Sequence, residues 1–197
     1  PGNIYKKNEV VAVVDAARAH KIPIRVGLNS GSLPQDYKDV AAGMVRAALD
    51  YIRILEGRKF SDIVVSLKAN NIFDTVSACR KMAKVCDYPM HLGLTATGLP
   101  RQGVVSSSIA LGSLLLEGIG DTIRISLTAD PAEEVACARS ILEVLGLRRF
   151  GPEVLSCPTC GRCEVDLISL VKKFEDKLKA QVPRKPLKKV AIMGCVV

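Results

Sequence analysis

Three thiols fall within seven residues of this chain, at Cys157, Cys160 and Cys163 in the stretch Ser-Cys-Pro-Thr-Cys-Gly-Arg-Cys. Two residues between thiols let both sulfurs turn into one bend and grip one metal centre. Pro158 stiffens that bend, and Gly161 can take the positive φ it needs. A redox disulfide motif and a zinc knuckle share this spelling. So does an iron–sulfur run, although ferredoxin-type runs place proline after the last cysteine, and this one places it after the first. On the motif alone zinc ranks first and iron–sulfur a close second. Cys79, Cys86 and Cys137 lie inside helical patterns and read as plain buried thiols.

A second set of residues could bind rather than ligate. Arg25, Lys68 and Arg124 occupy equivalent faces of three strand-like runs, with no carboxylate on those faces. Converging cations repel one another unless an anion sits among them, so a doubly charged or diphosphate ligand is the natural occupant. A single lysine at a strand end ordinarily just reaches solvent, and a lone inward His, such as His91, is more often a satisfied core residue. Three cations on one face are harder to explain that way.

The elements that must position these groups repeat along the chain. Helical periodicity covers Asn8–His20, Gln35–Glu56, Phe73–Cys86, Ser106–Glu117 and, after the start signal Asp130-Pro131, the run to Leu145. Strand-like runs lie between them at Ile22–Asn29, Asp62–Ala69, Pro89–Thr95 and Thr122–Thr128. Strand centres recur every ~30–40 residues, the spacing of repeated βα units with a parallel sheet. A parallel sheet covered on both faces should read as continuously apolar. Here each strand alternates instead, as in Ile24, Val26 and Leu28 against Arg25, Gly27 and Asn29. One apolar and one polar face fits a (β/α) barrel, with helices outside and a ligand-binding interior whose chemistry gathers at the C-terminal strand ends.

After Gly146 the character changes. A strand at Glu153–Leu155 enters the cysteine turn, a helix spans Val165–Leu178, Pro183-Arg184-Lys185-Pro186 reads as a basic linker, and a strand runs Lys188–Met193. The expected organisation is a partial TIM-like barrel over residues 1–150 and a partial α/β cluster domain over 151–197.

At 197 residues and 48% hydrophobic content, the chain can bury a sizeable core. No apolar run reaches the ~18 residues of a membrane span, and no signal peptide is read. Seven cysteines without secretory features then imply a reducing, cytoplasmic setting and no membrane partner. The net charge of +8 favours a polyanion: nucleic acid, an anionic surface or a phosphorylated metabolite. With 4% aromatic residues and no Trp, single-strand stacking is disfavoured, and no helix-turn-helix or RRM spelling appears, so no nucleic-acid partner is expected. The chain begins at Pro1 and reads as excised from something longer.

Taken together, these stretches resemble the GcpE/IspG family, the hydroxymethylbutenyl diphosphate synthases of the non-mevalonate isoprenoid pathway. The resemblance is carried by PGNI at the start, IRVGLNSGSL (24–33), DIVVSLKA (62–69), His91 to Gly98, GIGDTIRISL (118–127), SCPTCGR (156–162) and MGCVV (193–197), all in family order. It implies the C-terminal half of a TIM-like (β/α)8 barrel followed by the start of a small α/β iron–sulfur domain. It implies a [4Fe-4S] cluster on Cys157, Cys160 and Cys195, leaving Cys163 as a nearby free thiol, with the family's fourth ligand, a Glu, beyond Val197.

Arg25, Asn29, Lys68, Arg124 and Ser126 match family residues that contact the substrate diphosphate. The implied reaction is reductive opening of a small-molecule cyclodiphosphate, with flavodoxin or ferredoxin as electron donor and a homodimer in the full-length protein. Where the family's usual Thr-Glu-Ala-Gly supplies a carboxylate, this chain reads Thr95-Ala96-Thr97-Gly98, so the catalytic acid is unassigned. With the barrel's first strands and the fourth ligand outside it, the 197-residue chain alone is expected to be inactive. The alternative from another class is a non-catalytic zinc-knuckle binding module on a barrel fragment; against it, the second Cys-x-x-Cys of a zinc ribbon is missing.

Overall fold

A computed structural model describes residues 4, 6–33, 38–95, 97–180 and 188–195. The chain divides into two compact units, Pro1–Leu145 and Gly146–Val197.

The first unit is a run of βα repeats: α1 (Lys7–Ala19), β1 (Ile24–Asn29), α2 (Val40–Gly57), β2 (Ile63–Lys68), α3 (Ile72–Ala83), β3 (His91–Gly93), α4 (Pro100–Leu115), β4 (Thr122–Arg124) and α5 (Pro131–Val144). β1 pairs with β2 and β3 with β4, both in parallel. β2 reaches β3 through the Val65–Met90 bridge, flanked by Val65 N–H to Pro89 O at 2.8 Å and Thr95 N–H to Ala69 O at 3.1 Å. The strands therefore follow one another in chain order, each parallel pair joined through a helix, as parallel pairing requires.

The helices form where an apolar stripe and a cap coincide. In α2 the buried residues Ala41, Met44, Ala48, Ile52 and Leu55 recur at three- and four-residue spacing, and Asp39 accepts from Ala42 N–H at 2.9 Å. In α3, Asn71 caps Asp74 N–H at 2.8 Å, and Thr75 Oγ1 accepts from Ala69 N–H at 3.0 Å. That second bond ties the start of α3 to the end of β2. The stripes close over Val65, Leu67 and Leu92, all fully buried. Each such side chain contributes roughly 1.5–3 kcal/mol relative to exposure.

Several boundaries differ from the sequence reading, each with a local cause. α4 begins at Pro100, six residues before the expected Ser106. Proline suits the first helical position, and Gly103, a nominal breaker, is there for close packing: a Cβ would lie 2.6 Å from Leu127 Cδ2. β3 and β4 are three residues each, because the chain beyond them bonds loop to loop and to α5 instead of strand to strand. Thr97 Oγ1 donates to Ser126 O, Thr128 N–H to Gly98 O at 3.0 Å, and Leu127 N–H to Glu134 Oε1 at 2.8 Å. α2 starts at Val40; the expected start at Gln35 lies outside the described residues. Of the three thiols expected in the core, Cys79 is buried, while Cys86 and Cys137 are half-buried against it.

The second unit contains β5 (Glu153–Ser156), α6 (Leu167–Ala180) and β6 (Lys189–Ile192), with β5 parallel to β6 from Glu153–Lys189 to Ser156–Ile192. α6 starts two residues after the expected Val165, because Asp166 caps Ser169 N–H at 3.1 Å. The basic linker Pro183–Pro186 lies outside the described residues.

Candidate functional sites: a cationic strand face and, separately, a thiol-bearing turn

The register of the first unit sets its inward residues in rows. Gly27 stands opposite Ser66 and Asn29 opposite Lys68; His91 stands opposite Thr122 and Gly93 opposite Arg124. Ser66 Oγ donates to His91 O at 2.9 Å, and Lys68 Cε lies 3.3 Å from where a Cβ on Gly93 would be. The rows are therefore Gly27–Ser66–His91–Thr122 and, nearer the C-terminal strand ends, Asn29–Lys68–Gly93–Arg124.

Arg25, Asn29, Lys68 and Arg124 line one pocket of about 340 Å³ with Ser66 and Thr95, a size that takes a small molecule. Lys68 is only 5% exposed, contrary to the ordinary fate of a strand-end lysine. Burial, then Arg124 and Arg25, push its pKa down from 10.5 to about 8. Among the described residues no carboxylate pairs with Arg25, Lys68 or Arg124, whereas surface cations such as Arg58 and Lys81 have theirs in Asp15 and Asp39. Among the described residues Arg124 donates only to a carbonyl, Leu94 O at 3.2 Å. A buried, unpaired ammonium costs several kcal/mol, and an anion offsets that cost.

Ser126 is placed differently. It is half-buried beyond the end of β4, its carbonyl holds Thr97, and it is not part of the pocket lining. Ala96 lies outside the described residues. Two residues that sequence reasoning did not select matter here. Gly93 is the place on β3 over which Lys68 passes, and a glycine amid alternating residues on the cationic face is the signal that could have found it. His91 stands on that face too, where a lone inward histidine reads in sequence as a satisfied core residue. Its Nδ1 contacts Thr122 Oγ1 at 2.8 Å, while its Nε2 is buried without a partner among the described residues. Burial, then Lys68, Arg25 and Arg124, lower its pKa to about 4.

In the second unit the parallel pairing carries Cys157 at the end of β5 and Cys195 just past the end of β6. Cys157 N–H donates to Ile192 O at 3.3 Å, Cys163 N–H to Cys160 O at 2.9 Å, and Glu164 N–H to Gly194 O at 2.9 Å, so the two loops are bonded together. Gly194 is buried under Cys163, whose Sγ would be 2.5 Å from a Cβ there. Cys157, Cys163 and Cys195 are half-buried and Cys160 is exposed. Among the described residues no three His, Cys, Asp or Glu side chains stand close enough to hold a metal ion as placed. The donors are nevertheless all soft thiols on two joined loops, which suits iron–sulfur or zinc and not a hard cation. Among the described residues no helix is long and apolar enough to cross a membrane.

Residues 1–139 match the GcpE TIM-barrel domain, and residues 153–197 match the GcpE protein C-terminal domain. Among curated proteins, the whole chain is 54% identical to 55% of a 4-hydroxy-3-methylbut-2-en-1-yl diphosphate synthase (flavodoxin) from Lawsonia intracellularis. It is 50% identical to 57% of the protein of that name from Thermodesulfovibrio yellowstonii, and 47% identical to 56% of the one from Fusobacterium nucleatum, again over its whole length. The chain spans about half the length of the curated relatives it matches. With the TIM-barrel match over residues 1–139 and this level of identity along its whole length, the chain belongs to the GcpE family.

Proposed function

We propose that this chain supplies the anion-binding and cluster-binding groups of a 4-hydroxy-3-methylbut-2-en-1-yl diphosphate synthase. The substrate is 2-C-methyl-D-erythritol 2,4-cyclodiphosphate, whose ring is opened as two electrons enter and one hydroxyl departs as water. In fold terms, residues 1–150 form the C-terminal half of a TIM-like barrel and residues 151–197 the start of a small iron–sulfur domain. The observation that carries the reading is Lys68, buried and unpaired, with Arg25 and Arg124 the two charges that act on it.

Arg25, Lys68 and Arg124 bind and orient the diphosphate, and their charges offset the negative charge that develops as the ring opens. Asn29 beside Lys68 adds a neutral donor and acceptor. Ser126 contacts the diphosphate from the loop after β4. Cys157, Cys160 and Cys195 hold a [4Fe-4S] cluster, which when bound supplies the electrons one at a time. Flavodoxin or ferredoxin is the donor; both are typically acidic, and a chain of net charge +8 attracts them. The full-length protein works as a homodimer in the cytoplasm. A zinc knuckle accounts for the turn at Cys157 but leaves the cationic strand face without a purpose.

The test is turnover of the cyclodiphosphate with reduced flavodoxin, using anaerobically prepared full-length protein. Arg124→Ala should lower kcat/KM by at least about tenfold, the loss of one charge-assisted phosphate contact. Wild-type kcat/KM in that variant overturns the assignment.

A further inference from the structure

β3 carries no full charge toward the pocket, yet two of its residues bear on where the central cation sits. Lys68 crosses from β2 so that its Cε lies 3.3 Å from a Cβ placed on Gly93, and Arg124 O lies 2.9 Å from the same point. Any side chain at position 93 would press on the stem of Lys68 and on the backbone that carries Arg124. One row deeper, His91 is pinned by Thr122 Oγ1 at 2.8 Å from Nδ1. Its Nε2 is buried and, among the described residues, unpartnered. Ser66 does not serve it, since that hydroxyl donates to the carbonyl of His91.

The charges acting on this imidazole are Lys68 first, then Arg25 and Arg124, and no carboxylate is among them. Burial and those cations keep the ring neutral. A neutral imidazole among cations is most stable with an unprotonated nitrogen toward them. The proton then sits on Nδ1, donated to Thr122, and the lone pair sits on Nε2.

We propose that Gly93 and His91 are positioning residues for Lys68: the glycine opens a path for its stem across β3, and the imidazole lone pair beneath draws its ammonium to the place where it and Arg124 meet one diphosphate. The proposal rests on the anion-binding reading of this pocket and adds the residues that hold its least exposed cation. Nε2 makes no hydrogen bond to that ammonium; a lone pair turned toward it nevertheless favours its protonated form, so His91 also helps set the pH above which the pocket weakens.

The experiment measures binding of inorganic pyrophosphate to the full-length protein by calorimetry between pH 7 and 9.5. Wild-type affinity should fall up to about tenfold between pH 7 and pH 9 as Lys68 loses its proton. In His91→Leu the midpoint of that fall should move to lower pH by about half a unit or more, and His91→Gln, which keeps an acceptor, should restore it. Gly93→Ala should bind about tenfold more weakly at pH 7 with its far-UV spectrum unchanged. A wild-type midpoint in His91→Leu, or wild-type affinity in Gly93→Ala, overturns the inference and leaves the pocket standing. Wild-type protein that does not bind pyrophosphate, or binds it equally well as Arg124→Ala, overturns the anion-site reading and the inference with it.

Discussion

The cationic face of the first unit and the thiol turn of the second are built in opposite ways. Arg25, Lys68 and Arg124 stand on strands whose register places them before any ligand arrives. Three of the four thiols near the chain's end sit on a turn, and Cys195 follows the last strand, with the peptides bonded but the sulfurs not gathered. The strand face has its electrostatic work done by the backbone; the turn leaves the final convergence to the group that binds. Preorganised like charges make a site that is costly when empty, whereas thiols standing apart make one that costs little until occupied.

The sharpest break in that comparison comes from the thiols, where loss should be all or none. Cys157→Ser, Cys160→Ser and Cys195→Ser should each abolish bound iron and the absorbance near ~400 nm of anaerobically purified full-length protein. Cys163→Ala should retain both, because this thiol's role is packing on Gly194. Iron lost in Cys163→Ala but kept in Cys195→Ser would show that the ligand set is wrong. On the strand face losses should be graded instead. Arg25→Ala and Lys68→Ala should each weaken diphosphate binding at least about tenfold, at ~1.5–3 kcal/mol per charge-assisted bond, with the fold intact. Titration calorimetry on the purified variants measures it.

What the sequence disclosed follows the same division. Alternation along Ile24–Asn29 and Ile63–Lys68 fixes which side chains share a face, so the cations could be found without coordinates. The burial of Lys68 could not, because it depends on which residue faces it from the neighbouring strand β3, about 25 residues on in the chain, and that residue is Gly93. α4 was legible only in part, since Gly98, Pro100 and Gly103 read locally as breakers while tertiary packing against Leu127 favours a helix through them. Ser126 shares the alternation of β4 in sequence, but the strand ends at Arg124 and loop-to-loop bonds take over, so it stands on the loop beyond the strand face.

Smaller effects separate a costly cation from an ordinary one. Lys68 loses its proton near pH 8 when folded and near 10.5 when unfolded. Between those values the unfolded chain binds more protons, so stability should rise with pH across that window, with the full cost present below it. Lys68→Met should remove this rise and be more stable at pH 7 by about 1 kcal/mol. His91, with folded and unfolded values of about 4 and 6.5, works in the acid range: stability should fall as pH drops through that interval, and less so in His91→Leu. Urea denaturation at pH 5, 7 and 10 reads both. The smallest change should come from Arg58→Ala. Its pair with Asp15 is nearly half exposed on both sides, so little or no change is expected in the same denaturation curves. A larger loss there would erase the distinction between paired and unpaired cations.

The parallel pairing of β5 with β6 has a consequence for cofactor loading. Cys157 and Cys195 are about 40 residues apart in sequence, and closing a loop of that length costs roughly 3 kcal/mol in chain entropy. The four-residue ladder, together with the hydrogen bonds from Cys157 to Ile192 and from Glu164 to Gly194, closes that loop through ordinary peptide contacts. An incoming metal group therefore meets two loop ends already held as neighbours and has only side-chain rotations left to arrest. Assembly should accordingly follow simple bimolecular capture by a folded receptor, with no slow chain-ordering phase after the metal arrives.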